Sequence, residues 1–509
     1  MTESQAPSLS AAAIGGTAWT TGQAVVNKIA VLVATWAVAF RLSEDDVALA
    51  SLVTMLTKFF SVLPPLNMGD VLVARGQSFG IFAAAGFRIA LRWSLITVIV
   101  VALSMPLIAL FYDQFAPSAL VALLGASLFR IVAEAGQVVP LVTLRMDFRY
   151  RTIALVDGFT QLAGSVLCVI LAFAGAAAWA LVLPVAVVSL AKALAYRLVA
   201  GRRQSQPETP SADQVSDLSR SFRDAGGAQY VHSVVDTLPL LMLGRFASEV
   251  ETGLFAFAFN LAAQANAVLG GQLSGVLQPV LVSMANDVPR QMRAFMRTLR
   301  VLSAVVVPLC VCQAVFAENL FHAVFPSRWQ PAIPVFAALS ISEAFFFAAA
   351  PTMALLRAQG RFRTFLLWQI VHAGLLILAL PFVANSYGAL GVALLGAVLW
   401  AGSLPVAVHV CVRAHGVAWQ SVIASFGVPW VTTVPLGGAA LLLSRELGCF
   451  GLFGDAIALS VLAPITLMTM LYSMRFIQPE AYEELKGIGK TALKRIHRLA
   501  VRGRAGAAG

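Results

Sequence analysis

The stretch VVDTLPLLMLGRF, from Val234 to Phe246, decides the fold because it places an acid inside an otherwise apolar segment. Asp236 stands near its start, His232 precedes that acid by one helical turn, and Arg245 stands near its end. An ionised side chain at the centre of a bilayer costs at least about 2.5–3.5 kcal/mol, so it normally faces a cavity or a partner. The stretch therefore indicates a membrane-spanning helix that lines a polar space.

The whole chain has the composition of a polytopic membrane protein. Of its 509 residues, 59% are hydrophobic and 12% are charged, which is about half the charged share of an average soluble domain. This composition excludes an ordinary soluble enzyme. No cleavable signal peptide is expected, because the first Lys or Arg is Lys28 and no charged region precedes the first apolar run. The five cysteines form no CxxC pair, so neither a disulfide framework nor a metal site is predicted.

Fourteen apolar segments are each long enough for a transmembrane helix, which needs about 20 mostly apolar residues. They are far longer than the strands of a membrane β-barrel, so we predict an all-α bundle. The fourteen predicted spans are 11–40, 47–74, 81–111, 117–142, 152–173, 178–200, 222–247, 253–283, 297–320, 331–357, 362–384, 388–412, 418–443 and 451–476.

The distribution of Lys and Arg predicts the direction of insertion, because cytoplasmic loops carry an excess of both. With a cytoplasmic N-terminus, 27 of the 35 Lys and Arg residues fall in cytoplasmic loops, in the span ends next to them or in the C-terminal tail. Only 4 fall on the opposite side, and 4 lie deeper inside spans. Both termini are therefore predicted to be cytoplasmic, and the net charge of +11 reflects topology and not nucleic-acid binding.

A polar segment at residues 201–221 divides the first twelve spans into two sets of six. Residues 1–200 form a predicted N-terminal lobe, and residues 222–415 form a predicted C-terminal lobe. Residues 416–476 add spans 13 and 14. The basic end of the chain, residues 477–509, is predicted to be a cytoplasmic tail whose apolar residues at helical spacing favour an amphipathic surface helix.

The two predicted lobes resemble each other locally. FRLSEDDVALASL begins at Phe40 and GRFASEVETGLFAF begins at Gly244, and each follows the first span of its lobe. Each carries a basic residue, Arg41 or Arg245, then a short acidic loop and an apolar run. Two like-oriented six-helix bundles around a central cavity are a common plan of transporters, and we predict this plan here.

Ionisable side chains stand inside the predicted spans, and many share a helical face with other polar groups, as cavity-lining residues do. The bases are Lys28, Lys58, Arg130 and Lys192. The acids are Glu134, Asp157, Asp236 and Glu343, with His232 beside one of them.

Structural roles are alternatives for several of these residues. Arg130 and Glu134 have the i, i+4 spacing of a helical ion pair, and Lys192 can snorkel towards the membrane surface. Asp157 and Glu343 can cap or bridge neighbouring helices. All four bases belong to the first half of the chain, so a cationic half-cavity for an anionic ligand is predicted. An Asp beside a His suits a proton or cation site.

Two common enzymatic motifs are absent from the sequence. It contains no P-loop GxxxxGK[ST] and no HExxH, which are signatures of nucleotide-binding and zinc-dependent hydrolytic sites. We therefore expect a transporter without a catalytic site, cofactor or metal, driven by a substrate gradient or by coupling to protons or sodium.

The chain resembles the bacterial polysaccharide-repeat flippases of the multidrug/oligosaccharidyl-lipid/polysaccharide exporter superfamily, from about Ala12 to about Arg413. The similar blocks include GGTAWTTGQAVVNKIAVLVATWAVAFRLSEDDVALASL, LRMDFRYRTIALVDGFTQLAGSVLCVILA, VVDTLPLLMLGRF, GVLQPVLVSMANDVPRQMRAFMRTLRVLSAVVVPL, SRWQPAIPVFAALSI and LLRAQGRFRTFLLW. Asp236, Gly244 and Arg245 occupy the positions of the family's seventh-span pattern.

The resemblance implies a function. Members of this family turn polyprenyl-pyrophosphate-linked oligosaccharides from the inner to the outer leaflet of the bacterial inner membrane, and a separate polymerase with its co-polymerase extends them. An undecaprenyl-pyrophosphate-type glycolipid is then the expected substrate. The expected substrate contacts in the cavity are Lys28, Lys58, Arg130, Arg41 and Arg245. The expected coupling or gating residues are Asp236, His232, Asp157, Glu134 and Glu343.

Two other classes stay open from the sequence. A cation-coupled small-molecule exporter of the same superfamily would share the fold but would have a smaller, more apolar or acidic cavity. A membrane glycan polymerase or ligase would need a large outward loop or a catalytic His/Asp motif, and neither is visible in the sequence.

Overall fold

The computed structural model is helical in the part of the chain that it describes, and the prediction of an all-α fold is confirmed. The described residues are 27, 30–61, 65, 67–75, 79–147, 149–201, 210–284, 287–359, 361–480, 482, 483 and 486. Among them there is no β-strand. A helix satisfies its backbone N–H and C=O groups internally, which the hydrocarbon of a membrane demands.

The α-helices follow in chain order. They are α1 (Ala30–Arg41), α2 (Glu44–Phe60), α3 (Asn67–Ala74), α4 (Phe79–Phe111), α5 (Pro117–Met146), α6 (Tyr150–Phe173), α7 (Trp179–Ala200), α8 (Ala212–Phe246), α9 (Glu249–Ser283), α10 (Val288–Val315), α11 (Ala317–Val324), α12 (Ile333–Phe346), α13 (Ala349–Ala358), α14 (Phe362–Val412), α15 (Trp419–Gly448), α16 (Leu452–Ile457) and α17 (Ala463–Ile477). Two 3₁₀-helices and one π-helix complete the set: Ser327–Ala332, Arg413–His415 and Ala458–Leu462.

Within the described residues, 9 helical stretches are long and apolar enough to cross a membrane, so the chain is a multi-pass membrane protein. Helices α4 to α7 coincide with four predicted spans to within a few residues at each end. The total of fourteen spans stays a prediction.

One predicted span is interrupted, and two others meet at a break within α14. The span 47–74 consists of α2 and α3, separated around Pro65, because proline lacks a backbone donor and disfavours helical backbone in the residue before it. The spans 362–384 and 388–412 correspond to the two parts of α14, which are separated at Gly388, where the backbone is not helical and φ is 55°. Glycine has no Cβ and adopts this φ without a steric penalty.

The chain divides into two compact units. The first unit contains residues 1–256 and 373–388, and the second contains residues 257–372 and 389–509. Helix α8 therefore belongs to the first unit, whereas the sequence places it in the C-terminal lobe. It begins inside the predicted linker, because the Ser211 hydroxyl and the Gln214 side chain cap its first turn reciprocally, as in a capping box.

In the first unit, α2 packs against α5 and α8 through its apolar face. Leu52 and Leu56 are buried beside Leu124 of α5. At the same contact the hydroxyls of Thr57 and Ser127 lie 2.7 Å apart. This hydrogen bond fixes the relative height of α2 and α5, which is what positions the charged residues described below.

In the second unit, the core forms around α10. Phe295 and Leu299 of that helix are buried together with Leu355 of α13. Helices α11 and α16 are joined by a buried contact in which the Asn319 amide donates to the Asp455 carboxylate over 2.7 Å. The segment after the twelfth predicted span is thus packed against earlier helices of this unit.

Candidate functional site

An ion pair between α2 and α8 is the centre of the candidate site. The Lys58 ammonium lies 3.3 Å from the Asp236 carboxylate. Lys58 occupies the last turn of α2, where the negative end of the helix dipole stabilises a cation. Because Leu52 and Leu56 hold the opposite face of α2 in the core, Lys58 and Thr54 point away from it and are exposed.

The surroundings of this pair indicate a polar space. The Lys58 and Asp236 side chains keep 44% and 31% of their surface exposed, although both residues lie inside predicted spans. Exposure to lipid tails would cost each charge a few kcal/mol. We therefore infer that this face of the first unit meets water or a polar ligand.

A second ion pair lies within α5. The Arg130 guanidinium contacts the Glu134 carboxylate over 2.7 Å at i, i+4 spacing. Arg130 stands one turn after Ser127, the residue bonded to Thr57 of α2. A helical turn rises about 5.4 Å, so Arg130 and Lys58 occupy similar heights in the first unit.

A third ion pair joins α6 and α7. The Lys192 ammonium lies 3.1 Å from the Asp157 carboxylate, and the buried Tyr196 hydrogen-bonds to the same acid. Nearby, the Gln137 amide of α5 donates to the Ser189 carbonyl of α7 over 2.9 Å. Helices α5, α6 and α7 are therefore connected by polar contacts inside apolar segments.

Two predicted substrate contacts occupy helix ends. The Arg41 guanidinium lies 4.5 Å above the Phe173 ring. The Arg245 guanidinium lies 3.3 Å from the Asp113 carboxylate and 5.3 Å from the centre of the Phe111 ring. The structure does not bring either arginine to the Lys58–Asp236 pair.

The remaining predicted site residues are placed as follows. Glu343 belongs to α12 of the second unit and lies near the thiol of Cys310. The backbone of His232 lies one turn before Asp236 in α8, and the position of its side chain is outside the described residues. Lys28 also lies outside the described residues.

Three of the four bases of the predicted cationic half-cavity have an acidic partner, and the half-cavity stays a prediction because Lys28 lies outside the described residues. Lys58, Arg130 and Lys192 each lie within hydrogen-bonding distance of an acid. Each pair is neutral when both members are ionised. An anionic ligand would therefore have to displace a carboxylate, or bind after that carboxylate takes up a proton.

The sequence analysis identified the charged residues but missed some of their partners. It gave snorkelling as an alternative for Lys192 and did not consider Tyr196, although their i, i+4 spacing puts both on one helical face. The Thr57–Ser127 contact gave no sequence signal. Among the described residues, no group of three or more His, Cys, Asp or Glu side chains could hold a metal ion.

Long apolar helices with ion pairs among them define a helical multi-pass membrane protein. The chain belongs to the polysaccharide biosynthesis protein family, whose sequence profile matches residues 38–334. The resemblance seen in the sequence is thereby confirmed.

The chain is also similar to a curated bacterial relative. It is 25% identical over 260 residues to the succinoglycan biosynthesis transport protein ExoT of Rhizobium meliloti (strain 1021). The match covers 51% of this chain and 51% of that protein, so the chain spans about half the length of this relative.

Solved structures share the fold at low sequence identity. The lipid II flippase MurJ in an inward closed conformation superimposes with a TM-score of 0.70 at 12% identity, covering 93% of this chain and 99% of MurJ. An inward-facing multidrug resistance transporter of the MATE family and MOP superfamily gives a TM-score of 0.61 at 13% identity, covering 77% of this chain and 96% of that one. The chain therefore has the fold of these transporters.

Proposed function

We propose that the protein flips a polyprenyl-pyrophosphate-linked oligosaccharide repeat unit across the bacterial inner membrane, for exopolysaccharide, capsule or O-antigen synthesis. Membership of the polysaccharide biosynthesis family supports this, as does similarity to a named succinoglycan transport protein. A sugar headgroup needs a protein to cross the bilayer, because each hydroxyl that enters hydrocarbon without a partner loses its hydrogen bonds to water at a cost of several kcal/mol.

The proposed transporter works by alternating access. Fourteen spans form two six-helix lobes around a central cavity with two additional helices, and both termini are cytoplasmic. The headgroup of an undecaprenyl-pyrophosphate-type glycolipid crosses in the cavity while its chain stays in the bilayer. A polymerase and its co-polymerase then receive the flipped unit.

The observation that supports this proposal most directly is the Lys58–Asp236 ion pair. An ammonium on a flexible stem binds a carboxylate or a phosphate as a point charge, so a pyrophosphate competes with Asp236 for Lys58. Protonation of Asp236 removes the competing charge and favours the pyrophosphate. By linkage, pyrophosphate binding then favours proton uptake at Asp236, which couples transport to a proton gradient. Arg130 with Glu134 and Lys192 with Asp157 offer the same exchange.

Substitution of the two partners tests the proposal. In cells that depend on this protein, Lys58→Gln and Asp236→Asn are expected to cause accumulation of lipid-linked repeat units on the inner leaflet at normal protein levels. Arg75→Gln is a matched control, because Arg75 forms a 2.8 Å ion pair with Asp217 outside the predicted spans. Normal flipping in both Lys58→Gln and Asp236→Asn cells would contradict the proposal.

A cation-coupled small-molecule exporter is the second candidate, favoured by the neutrality of the three ion pairs and by the fold shared with a MATE transporter. Efflux of a fluorescent organic cation distinguishes the two. Efflux that is lost in Asp236→Asn, with unchanged lipid-linked repeat units, would favour the exporter.

A further inference from the structure

A cavity of about 530 Å³ lies between α4 and α8 of the first unit. Its polar lining comes from Arg92 of α4 and from Ser216, Ser219 and Arg223 of α8. Its apolar lining includes Trp93 and Ile96 of α4. Two guanidinium groups, two hydroxyls and an apolar wall thus surround one space.

The sequence of α4 indicates how deep in the membrane this cavity lies. The 19 residues from Trp93 to Phe111 contain no charged side chain. At 1.5 Å per residue they extend about 28 Å, which matches the hydrocarbon thickness of a bilayer. Arg92 and Trp93 therefore stand at the membrane interface, where tryptophan is enriched.

The sequence of α8 independently places the cavity at the same membrane boundary. Arg223 is the last basic residue before a segment without Lys or Arg that continues to Gly244. Both cavity arginines thus stand at the boundary between a polar helix segment and an apolar one. By the distribution of Lys and Arg, this is the predicted cytoplasmic boundary.

The outer surface of α4 continues the cavity into the lipid region. Ile96, Val100, Leu103 and Leu107 are exposed and recur at helical spacing, so they form one apolar stripe. The stripe starts at the cavity, because Ile96 belongs to both. A molecule with a charged head in the cavity could therefore lay an alkyl chain along α4.

We propose that this cavity binds the phosphodiester headgroup of an anionic phospholipid, with an acyl chain on the α4 stripe. Arginine forms bidentate, charge-assisted hydrogen bonds with phosphate oxygens, and the serine hydroxyls donate further ones. Two acids of α8, Asp213 and Asp217, do not line the cavity. The site is separate from the Lys58–Asp236 pair and does not depend on the proposed flipping activity.

Native mass spectrometry of the full chain in detergent tests the proposal, with dioleoylphosphatidylglycerol as the probe. The double variant Arg92→Gln/Arg223→Gln is expected to retain this lipid at least about tenfold less well, because it loses both guanidinium groups that form charge-assisted hydrogen bonds with phosphate. The matched control is Arg88→Gln/Arg220→Gln. It removes two exposed arginines of the same helices that do not line the cavity and is expected to retain the lipid.

A second variant fills the cavity and keeps both charges. Ser219→Leu is expected to reduce lipid retention, with unchanged helical content by circular dichroism. Equal retention by the cavity and control double variants would overturn the proposal. Displacement of the lipid by millimolar inorganic phosphate would also overturn it, because the cavity would then be a site for free phosphate.

Discussion

Two ion pairs of the first unit have the same length and different surroundings. The Lys58–Asp236 pair and the Arg245–Asp113 pair both measure 3.3 Å. The first joins α2 and α8 inside two predicted spans. The second lies where α4 and α8 end, with the Phe111 ring against the guanidinium.

The comparison shows that the position of an ion pair relative to the predicted spans, and not the distance between its two charged groups, determines the role we expect for it. At a helix end both charges reach water, and such a pair contributes about 0–1 kcal/mol to stability. Inside a predicted span the same pair needs a polar space, because hydrocarbon around either charge would cost a few kcal/mol. Lys58 and Asp236 are therefore expected to serve function, and Arg245 and Asp113 to hold helix ends together.

The strongest test of this comparison reverses one pair. Lys58→Glu places two acids side by side and is expected to lower transport at least about tenfold and to reduce the melting temperature, because like charges repel. Adding Asp236→Lys restores opposite charges and should restore stability, but not transport, since the ammonium then projects from α8. Both are measured by inner-leaflet accumulation of lipid-linked units and by thermal unfolding in detergent. Full recovery of transport in the exchanged variant would show that the pair has only a structural role.

The segment that follows Arg245 allows a second test. A Cβ on Gly253 would stand 2.0 Å from the Glu44 carbonyl oxygen, which is backbone and cannot move alone. Gly253→Ala is expected to destabilise the protein by about 1–3 kcal/mol through overpacking, seen as a lower melting temperature.

Gly374→Ala is the control for that substitution, because its added Cβ meets no atom within 4 Å and alanine favours a helix by up to about 1 kcal/mol. Gly253→Ala should reduce transport only in proportion to folded protein. A loss of transport without a loss of stability would show that this region takes part in function.

The Arg245–Asp113 pair gives a smaller expected effect. Arg245→Gln should lower stability by about 0.5–1 kcal/mol and leave more than half of the transport activity. Asp113→Asn is the matched partner variant and should behave alike. A loss of transport as large as that in Lys58→Gln would instead favour the role of Arg245 as a substrate contact in the cavity.

The smallest expected effect depends on pH and concerns Glu249, at the start of α9. Burial raises the pKa of the Glu249 carboxyl above its ordinary 4.5, and the Asp45 carboxylate raises that pKa further. A carboxyl whose pKa is higher in the folded state weakens the fold when ionised, and this cost disappears as pH falls through that pKa and below the unfolded value. Glu249→Gln should therefore raise the melting temperature slightly at pH 7.

The same variant should have no effect below about pH 4.5, where Glu249 is protonated in both states. Thermal unfolding of both proteins across this pH range measures the difference. A stabilisation that does not change with pH would show that the charge of Glu249 is not the cause.

The sequence predicted what depends on local patterns. Apolar runs predicted α4 to α7, and the i, i+4 spacing of Arg130 and Glu134 indicated the contact that forms. The partners of Lys58 and Lys192 could not be predicted this way, because each lies on another helix. Lys58 and Asp236 are 178 positions apart, and only the packing of α2 against α8 brings them together.

The neutrality of the three ion pairs has an electrical consequence. One elementary charge that crosses a membrane senses about 2.3 kcal/mol per 100 mV. A rearrangement that moves Lys58 and Asp236 together transfers no net charge, so its rate should be independent of voltage. If the pair separates during the cycle, the rate should change with voltage, and electrical recording on reconstituted protein would distinguish the two cases.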